Sequence, residues 1–167
     1  KVGAPEDLVR NIKEPTIELS QELMKAVDLV IATGGAQLVK VAYSSGKPAY
    51  GVGAGNATVV VDETADLKDA ANKIKDGKIF DNATSCSSEN SLVIQESVYD
   101  SMVKNLQELG GHLCNAEEKE KLKKLMWPDG IHMGRQHVGQ HAQKIASLAG
   151  IKVGPEVCFL MVKGEAV

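Results

Sequence analysis

Cys86 is the residue of this sequence best suited to nucleophilic chemistry. It lies in the small polar run "TSCSS" at positions 84–88, so its thiol should be accessible to a substrate. A nucleophilic thiol also needs a lowered pKa, which a helix N-terminus or a nearby cation supplies. A short helix beginning near Ser87 would meet that need. The residues alone leave a catalytic thiol and an inert surface thiol as alternatives.

The other two cysteines are less suited to catalysis. Cys114 lies in "GGHLCNAEE" and Cys158 in "EVCFLMV", a run typical of a buried strand in which cysteine acts as a small hydrophobic residue. Three cysteines without a Cys-x-x-Cys pair argue against a disulfide framework. They favour reduced thiols and a cytoplasmic location.

Two glycine-rich stretches are candidates for binding a phosphate or a nucleotide cofactor. The stretch "YGVGAGNATVVVD" at 50–62 does not fit Gly-x-Gly-x-x-Gly, and a strand-forming run follows it where a helix would be needed. We therefore reject it as a phosphate loop. Thr33-Gly34-Gly35 follows a predicted strand and precedes a predicted helix, so its backbone N–H groups suit a phosphate or nicotinamide contact. A tight strand–helix turn without a ligand is the alternative.

The histidines do not predict a metal site. His132, His137 and His141 cluster in sequence, and the last two are four residues apart. No acidic ligand accompanies them as it does in His-Glu-x-x-His. We expect solvated histidines on a helix face, and the spacing of the cysteines and histidines predicts no metal ligands.

The elements that must position these residues alternate between helices and strands. Pro15-Thr16 opens a helix whose Leu19, Leu23 and Val27 recur every four residues and should face the core. A strand–turn–helix–strand succession over 28–50 predicts a parallel sheet with crossover helices, and hence an α/β fold. Further strands are predicted at 59–61, 91–95 and 157–162, and further helices at 66–78, 98–109, 116–126 and 137–148.

The composition favours a globular protein and argues against a nucleic-acid-binding or membrane-spanning one. Hydrophobic residues make up 43% of the 167 residues and charged residues 25%, which fits a globular protein with a buried core. The net charge of −3 argues against a nucleic-acid partner, and no apolar run has the length of a membrane span. The chain lacks an initiator Met, so we expect it to begin within a domain.

Two long motifs resemble the CoA-acylating branch of the aldehyde dehydrogenase superfamily. They are "ATGGAQLVKVAYSSGKPAYGVGAGN" and "IFDNATSCSSENS", and the similarity extends from Gly3 to about Gly150. That branch includes the acetaldehyde dehydrogenase half of bifunctional aldehyde–alcohol dehydrogenases. The resemblance implies that residues 1–56 are the end of a Rossmann-type nucleotide-binding domain. Residues 57–167 would then be part of an α/β catalytic domain that carries the cysteine.

The same resemblance implies the roles of particular residues. Cys86 would be the nucleophile, Gly35 and Gly53 would line the site of NAD or NADP, and Thr33 and Gly34 would lie close by. Hydrolytic relatives carry Glu-Leu-Gly-Gly where this chain has "VGAG" at 52–55, and their glutamate activates water. Val52, at the matching position 34 residues before Cys86, cannot accept a proton. Coenzyme A would therefore accept the acyl group.

The substrate and the setting are expectations of the same kind. "CSSEN" at 86–90 is similar to acylating sulfoacetaldehyde dehydrogenases and more polar than the "CASEQ" typical of acetaldehyde relatives, so acetaldehyde or a polar short aldehyde is expected. If Ser87 faces the protein instead, it carries no such information. We expect a homo-oligomer without membrane partners, in the cytoplasm or a bacterial microcompartment. Because other parts of the family's fold would lie outside residues 1–167, the chain alone should not turn over.

Two alternative functions follow from the residues. The chain could be a nucleotide-binding or assembly module that retains the fold without catalysis. It could also belong to a hydrolytic dehydrogenase whose base is Glu89, which a helix would place on a face next to that of Cys86.

Overall fold

The protein divides into two compact units. The structure is a computed structural model that describes residues 3–53 and 55–164. The first unit comprises Lys1–Ala54 and the second Gly55–Val167. Ala54, within the "VGAG" stretch, lies outside the described residues. The assignment of the two units to a nucleotide-binding and a catalytic domain stays a prediction.

The first unit is a helix–strand–helix–strand succession, as predicted. It consists of α1 (Ile17–Ala26), β1 (Val30–Thr33), α2 (Ala36–Tyr43) and β2 (Ala49–Val52). Thr16 caps α1 by accepting a hydrogen bond from the Leu19 N–H at 3.1 Å, which explains why the helix begins there. Strands β1 and β2 pair in parallel, with Val30 opposite Ala49. The connection through α2 makes this pairing possible.

The predicted core-facing stripe of α1 is wrong in part. Leu19 and Leu23 are exposed, while Met24 and Val27 pack against the small core formed by Val30, Ala32 and Ala42. Of the three apolar residues that recur every four positions, only Val27 therefore contacts the core.

The second unit contains four strands and four α-helices among its described residues. In chain order these are β3 (Ala57–Val61), α3 (Leu67–Ile79), β4 (Glu89–Ile94), α4 (Glu96–Glu108), β5 (Gly111–Cys114), α5 (Ala116–Met126), α6 (Ala142–Leu148) and β6 (Phe159–Val162). Parallel pairs form between β3 and β4 and between β5 and β6. The expected α/β class is confirmed, with parallel strands and crossover helices throughout.

The core of the second unit lies between its sheets and helices α3 and α4. Its fully buried residues include Ala71, Met102 and Leu106, and Phe159 of β6 is 6% exposed within the same cluster. A second cluster joins Leu122 of α5 to Ala146 of α6. The segment carrying Cys86 connects α3 to β4, and both of these elements contribute residues to this core.

The region around the histidines differs from the prediction. The helix expected over 137–148 begins only at Ala142, His141 is its N-cap, and Arg135–His137 form a 3₁₀ turn. His137 is buried rather than solvated. His137 and His141 thus do not share a helix face, because glycines at 134 and 139 interrupt the helical pattern. None of the helices in the described ranges has the length and apolarity that crossing a bilayer requires.

Candidate functional site

Cys86 lies in an exposed turn between α3 and β4. Residues 84–88, which we call the cysteine turn, are not helical, and the Ser88 N–H donates to the Ser85 carbonyl oxygen at 3.1 Å. Cys86 itself is exposed. The accessibility predicted from the small polar residues is thus present. The short helix considered near Ser87 is wrong, because β4 begins at Glu89 and the next helix only at Glu96.

A left-handed segment precedes the cysteine turn. Asp81, Asn82 and Ala83 have φ angles of 49°, 52° and 61°, which cost non-glycine residues about 1–3 kcal/mol each. Asn82 Nδ2 donates to the Gly139 carbonyl oxygen at 3.0 Å, and Thr84 Oγ1 donates to that of Asp81 at 2.7 Å. These bonds help to hold a conformation that the chain would otherwise avoid. Such strain clusters at functional sites.

Helix α3 anchors the other side of the cysteine turn. Ser88 is 2% exposed, and its hydroxyl donates to the Gly77 carbonyl oxygen at 3.2 Å. The Glu89 carboxylate packs on the same glycine, and a Cβ there would lie 2.7 Å from Glu89 Cδ. Within the described ranges, no hydrogen bond reaches the buried Glu89 Oε2. Gly77 therefore makes room inside a helix for the residues that follow Cys86.

Gly55 supports the turn from a second direction. A Cβ at this residue would lie 3.0 Å from the Cys86 carbonyl oxygen, closer than ordinary contact. The last glycine of "GVGAG" thus allows the backbone to approach the backbone of the candidate nucleophile. Gly55, Gly77 and Ser88 were not identified from the sequence, because each acts through a contact that the chain pattern does not reveal.

Two hydroxyls flank Cys86 at the surface. Ser85 Oγ and Ser87 Oγ lie 2.9 Å apart and form a hydrogen bond. Ser87 is exposed, so it does not face the protein interior of this unit. The residues next to the thiol are therefore polar on both sides.

Cys114 is a poor competitor for the nucleophilic role. It lies on β5, is 7% exposed, and burial raises the pKa of its thiol to about 11, with the Glu118 carboxylate adding to the effect. A thiol with that pKa stays protonated near neutral pH, and the thiolate is the nucleophile. Cys158 is partly buried, and its Sγ lies 3.5 Å from the Leu109 carbonyl oxygen. Among the three cysteines, only Cys86 is exposed.

The predicted cofactor residues lie in the first unit at the ends of β1 and β2. The sequence predicted free backbone N–H groups at this turn, and for Gly34 this is wrong: its N–H donates to the Val52 carbonyl oxygen at 3.0 Å and extends the strand pairing. Gly35 is the N-cap of α2, and a Cβ at Gly35 or Gly53 would meet nothing within 4 Å. Thr33 is exposed.

Gly35 and Gly53 leave the backbone at these two positions unobstructed by neighbouring side chains, and Gly35 lies at the N-terminus of the eight-residue helix α2. Val52 ends β2, and its half-exposed side chain carries no proton acceptor. The roles of Thr33, Gly34, Gly35 and Gly53 stay predictions.

Comparison with known proteins gives consistent matches. The profile of the "Aldehyde dehydrogenase family" matches residues 1–123. A sulfoacetaldehyde dehydrogenase of Acholeplasma sp is 49% identical over 170 residues, which is 99% of this chain and 35% of that protein. The crystal structure of an acetylating aldehyde dehydrogenase from Geobacillus thermoglucosidasius has a TM-score of 0.91 and 41% identity over 99% of this chain and 37% of that one.

A further solved structure bears on the chemistry. It is a propionaldehyde dehydrogenase of Rhodopseudomonas palustris with bound CoA and an acylated cysteine. Its TM-score is 0.87 at 33% identity, covering 96% of this chain and 37% of that one. The chain spans little more than a third of the length of these relatives.

Proposed function

The chain belongs to the aldehyde dehydrogenase family, and we propose that it acts within an enzyme that converts an aldehyde, coenzyme A and NAD(P)⁺ to acyl-CoA and NAD(P)H. The resemblance to the CoA-acylating branch is confirmed by the acetylating and CoA-bound relatives. The activity of the whole protein is the proposal.

One observation carries the proposal: an exposed thiol is combined with an apolar residue at the position of the hydrolytic base. Cys86 is exposed in a turn that α3 and Gly55 support from both sides. Val52 has no group that could activate water. A thioester formed on Cys86 would then persist until a thiol acceptor arrives.

The residues of this chain account for the covalent steps. The Cys86 thiolate attacks the aldehyde carbon, which forms a C–S bond and an oxyanion that backbone N–H donors, including that of Cys86, would stabilise. NAD(P)⁺, when bound, supplies the hydride acceptor. Loss of the aldehyde hydrogen as hydride leaves a thioester on Cys86. The thiolate of coenzyme A then attacks this thioester, the Cys86 C–S bond breaks, and Cys86 leaves as a thiolate.

We propose Thr33, Gly34, Gly35 and Gly53 as the residues that hold the nicotinamide cofactor. Gly35 and Gly53 are supported by the open space at their Cα atoms. Gly34 contributes through its position in the strand–helix turn, since its N–H is already bonded to Val52.

A short polar aldehyde is the substrate class that the cysteine turn favours. The hydroxyls of Ser85 and Ser87 flank the thiol, and because one donates to the other, the pair has one O–H left to donate to an anionic group on a substrate. Sulfoacetaldehyde carries such a group, and a relative of 49% identity is named for it. We propose sulfoacetaldehyde ahead of acetaldehyde, and a cytoplasmic homo-oligomer as the working form.

The decisive experiment assays the full-length protein that carries this chain. Acetaldehyde, succinate semialdehyde and sulfoacetaldehyde are each supplied with and without coenzyme A, with NAD⁺ or NADP⁺. Reduction of the cofactor should require coenzyme A, and mass spectrometry should identify the acyl-CoA. Robust formation of free acid without coenzyme A would instead identify a hydrolytic enzyme.

Two variants assign the nucleophile. Cys86→Ala should abolish turnover, whereas Cys158→Ala, which removes a thiol away from the cysteine turn, should leave turnover in place. Iodoacetamide should label Cys86 faster than a free model thiol at neutral pH. Labelling no faster than the model thiol would favour a module without catalysis.

A further inference from the structure

Three potential metal ligands converge where β5 meets α5. His112 and Cys114 are two residues apart on a strand, so their side chains project to the same side. Glu118 is the third residue of α5, which begins just after the strand. One imidazole nitrogen, the Cys114 Sγ and one carboxylate oxygen of Glu118 all lie within 4.8 Å of one another.

The separations are close to those of a coordination sphere. His112 Nε2 and Glu118 Oε2 are 3.1 Å apart. Nitrogen and oxygen ligands at ordinary zinc distances in a tetrahedron are about 3.3 Å apart, so this pair already has the needed spacing. The Cys114 Sγ lies within 4.8 Å of both atoms, so it would have to move closer to complete the coordination sphere.

The backbone around the cluster is fixed by hydrogen bonds. The Asn115 N–H donates to Glu118 Oε2 at 3.0 Å, and the Glu118 N–H donates to Asn115 Oδ1 at 2.9 Å, which forms a capping box. Cys114 pairs in register with Val162 of β6. These bonds orient the ligands before any ion arrives, which favours binding.

Burial also suits a site of this kind. Cys114 is buried, while the side chains of His112 and Glu118 are 26% and 17% exposed. An ion would thus be shielded on the sulfur side and reach solvent on the other. A water molecule can complete four-coordination from that side.

We propose that His112, Cys114 and Glu118 bind one divalent transition-metal ion of the zinc class. A thiolate, an imidazole and a carboxylate together suit Zn²⁺ and Co²⁺ and disfavour Mg²⁺ and Ca²⁺, which take oxygen ligands. On binding, the Cys114 S–H bond breaks, its proton passes to solvent and a metal–sulfur bond forms. His112 coordinates through Nε2 as the neutral tautomer protonated on Nδ1. The ion would tie β5 to the start of α5.

The sequence pattern His-x-Cys-x-x-x-Glu did not predict this cluster of ligands. Its spacing matches none of the familiar zinc motifs, and the ligands meet only because a strand ends one residue before a helix cap. The pair considered from the sequence, His137 and His141, lies elsewhere and on no common helix face.

The test measures Zn²⁺ and Co²⁺ binding to the full-length protein. All samples carry Cys86→Ala, so that the exposed thiol does not contribute, and all are treated with a chelator and then freed of it. Isothermal titration gives the number of tight Zn²⁺ sites, and absorption spectra of the Co²⁺ form report a thiolate ligand. The variants are Cys114→Ser and Glu118→Gln, with Cys158→Ser as the control thiol.

The parent should bind one equivalent of Zn²⁺ that Cys114→Ser and Glu118→Gln lose or bind at least about tenfold more weakly, since loss of a residue that merely orients a metal ligand already costs about 10–100-fold in affinity. Cys158→Ser should keep the affinity and the cobalt–thiolate absorption. Glu118→Gln is informative because glutamine also serves in a capping box, so α5 should remain folded. Unchanged binding in either ligand variant, or the absence of a tight site in the parent, overturns the proposal.

Discussion

The contact between Gly55 and Cys86 makes a testable link between a glycine and the reactivity of the nucleophile. In Gly55→Ala the new methyl carbon would lie 3.0 Å from the Cys86 carbonyl oxygen. Carbon and oxygen in close non-bonded contact are about 3.3 Å apart, so one backbone must move by about 0.3 Å. Because the contacting atom belongs to the main chain, no side-chain rotation relieves the clash.

The displacement can be converted into a rate. A misplacement of about 1 Å costs about a hundredfold in rate, or about 2.7 kcal/mol of activation free energy. A shift of about 0.3 Å would then cost about 0.8 kcal/mol, which is about a fourfold slower acylation of Cys86. The free energy of unfolding should change little, since Cys86 is exposed.

Single-turnover kinetics on the full-length enzyme measure this effect directly. The rate of hydride transfer at saturating aldehyde reports acylation, and iodoacetamide labelling reports access to the thiol. Gly164→Ala is the control, because a Cβ there meets nothing within 4 Å. Acylation by Gly55→Ala at the parental rate, or an equal loss in Gly164→Ala, would refute the reasoning.

Two further predictions concern α3. Alanine is the better helix former by about 1 kcal/mol, and the atoms that its Cβ would meet are the far end of the flexible Glu89 side chain, so Gly77→Ala should stabilise the protein by up to about 1 kcal/mol in urea unfolding. A Gly77→Ala protein less stable than the parent would show that the Glu89 carboxylate cannot move aside, and adding Glu89→Ala should then restore stability. Burial lowers the pKa of Lys78 below 10.5, against an opposing effect of Glu89. The unfolded chain then binds more protons in the alkaline range, so stability relative to Lys78→Met should rise as the pH approaches 10.5; a flat difference would show that the amine is not desolvated.

Much of the first unit could be predicted because its signals are local. Thr16 is a capping residue, and α1 begins after it. The succession of helices and strands requires parallel pairing, and β1 and β2 are parallel. Such features depend on neighbours in sequence, whose geometry the residue types determine.

Burial could not be predicted in the same way. Leu19, Leu23 and Val27 fit an apolar stripe, yet only Val27, the C-cap of α1, packs against the core, together with Met24, which lies outside the stripe. The stripe gives a face of the helix, but which face is buried depends on where the sheet lies. The same limit applies to His137, which is polar and nevertheless buried in a 3₁₀ turn.

For the cysteine turn, the sequence predicted the exposure of the thiol but not the contacts that hold the turn in place. Its small polar residues correctly predicted an exposed thiol, and the resemblance to acylating dehydrogenases singled out Cys86. The supports of the turn join residues far apart in sequence, such as Asn82 to Gly139 and Ser88 to Gly77. Contacts of this kind follow from the packing of α3 and the loop after α5, which a single sequence does not specify.

The three glycines of "GVGAG" have different surroundings in the structure, although the sequence does not distinguish them. All have the same side chain, yet a Cβ at Gly51 would strike Tyr43 at 2.9 Å, one at Gly53 would meet nothing, and one at Gly55 would press on the Cys86 carbonyl oxygen. The first glycine thus serves packing under α2, the second leaves a surface open to a ligand, and the third admits the backbone of the nucleophile. The three glycines are identical in sequence, but the effect of a side chain at each depends on which atoms the fold places next to it. Substitution of the three glycines by alanine should therefore separate stability, cofactor binding and acylation, one property to each position.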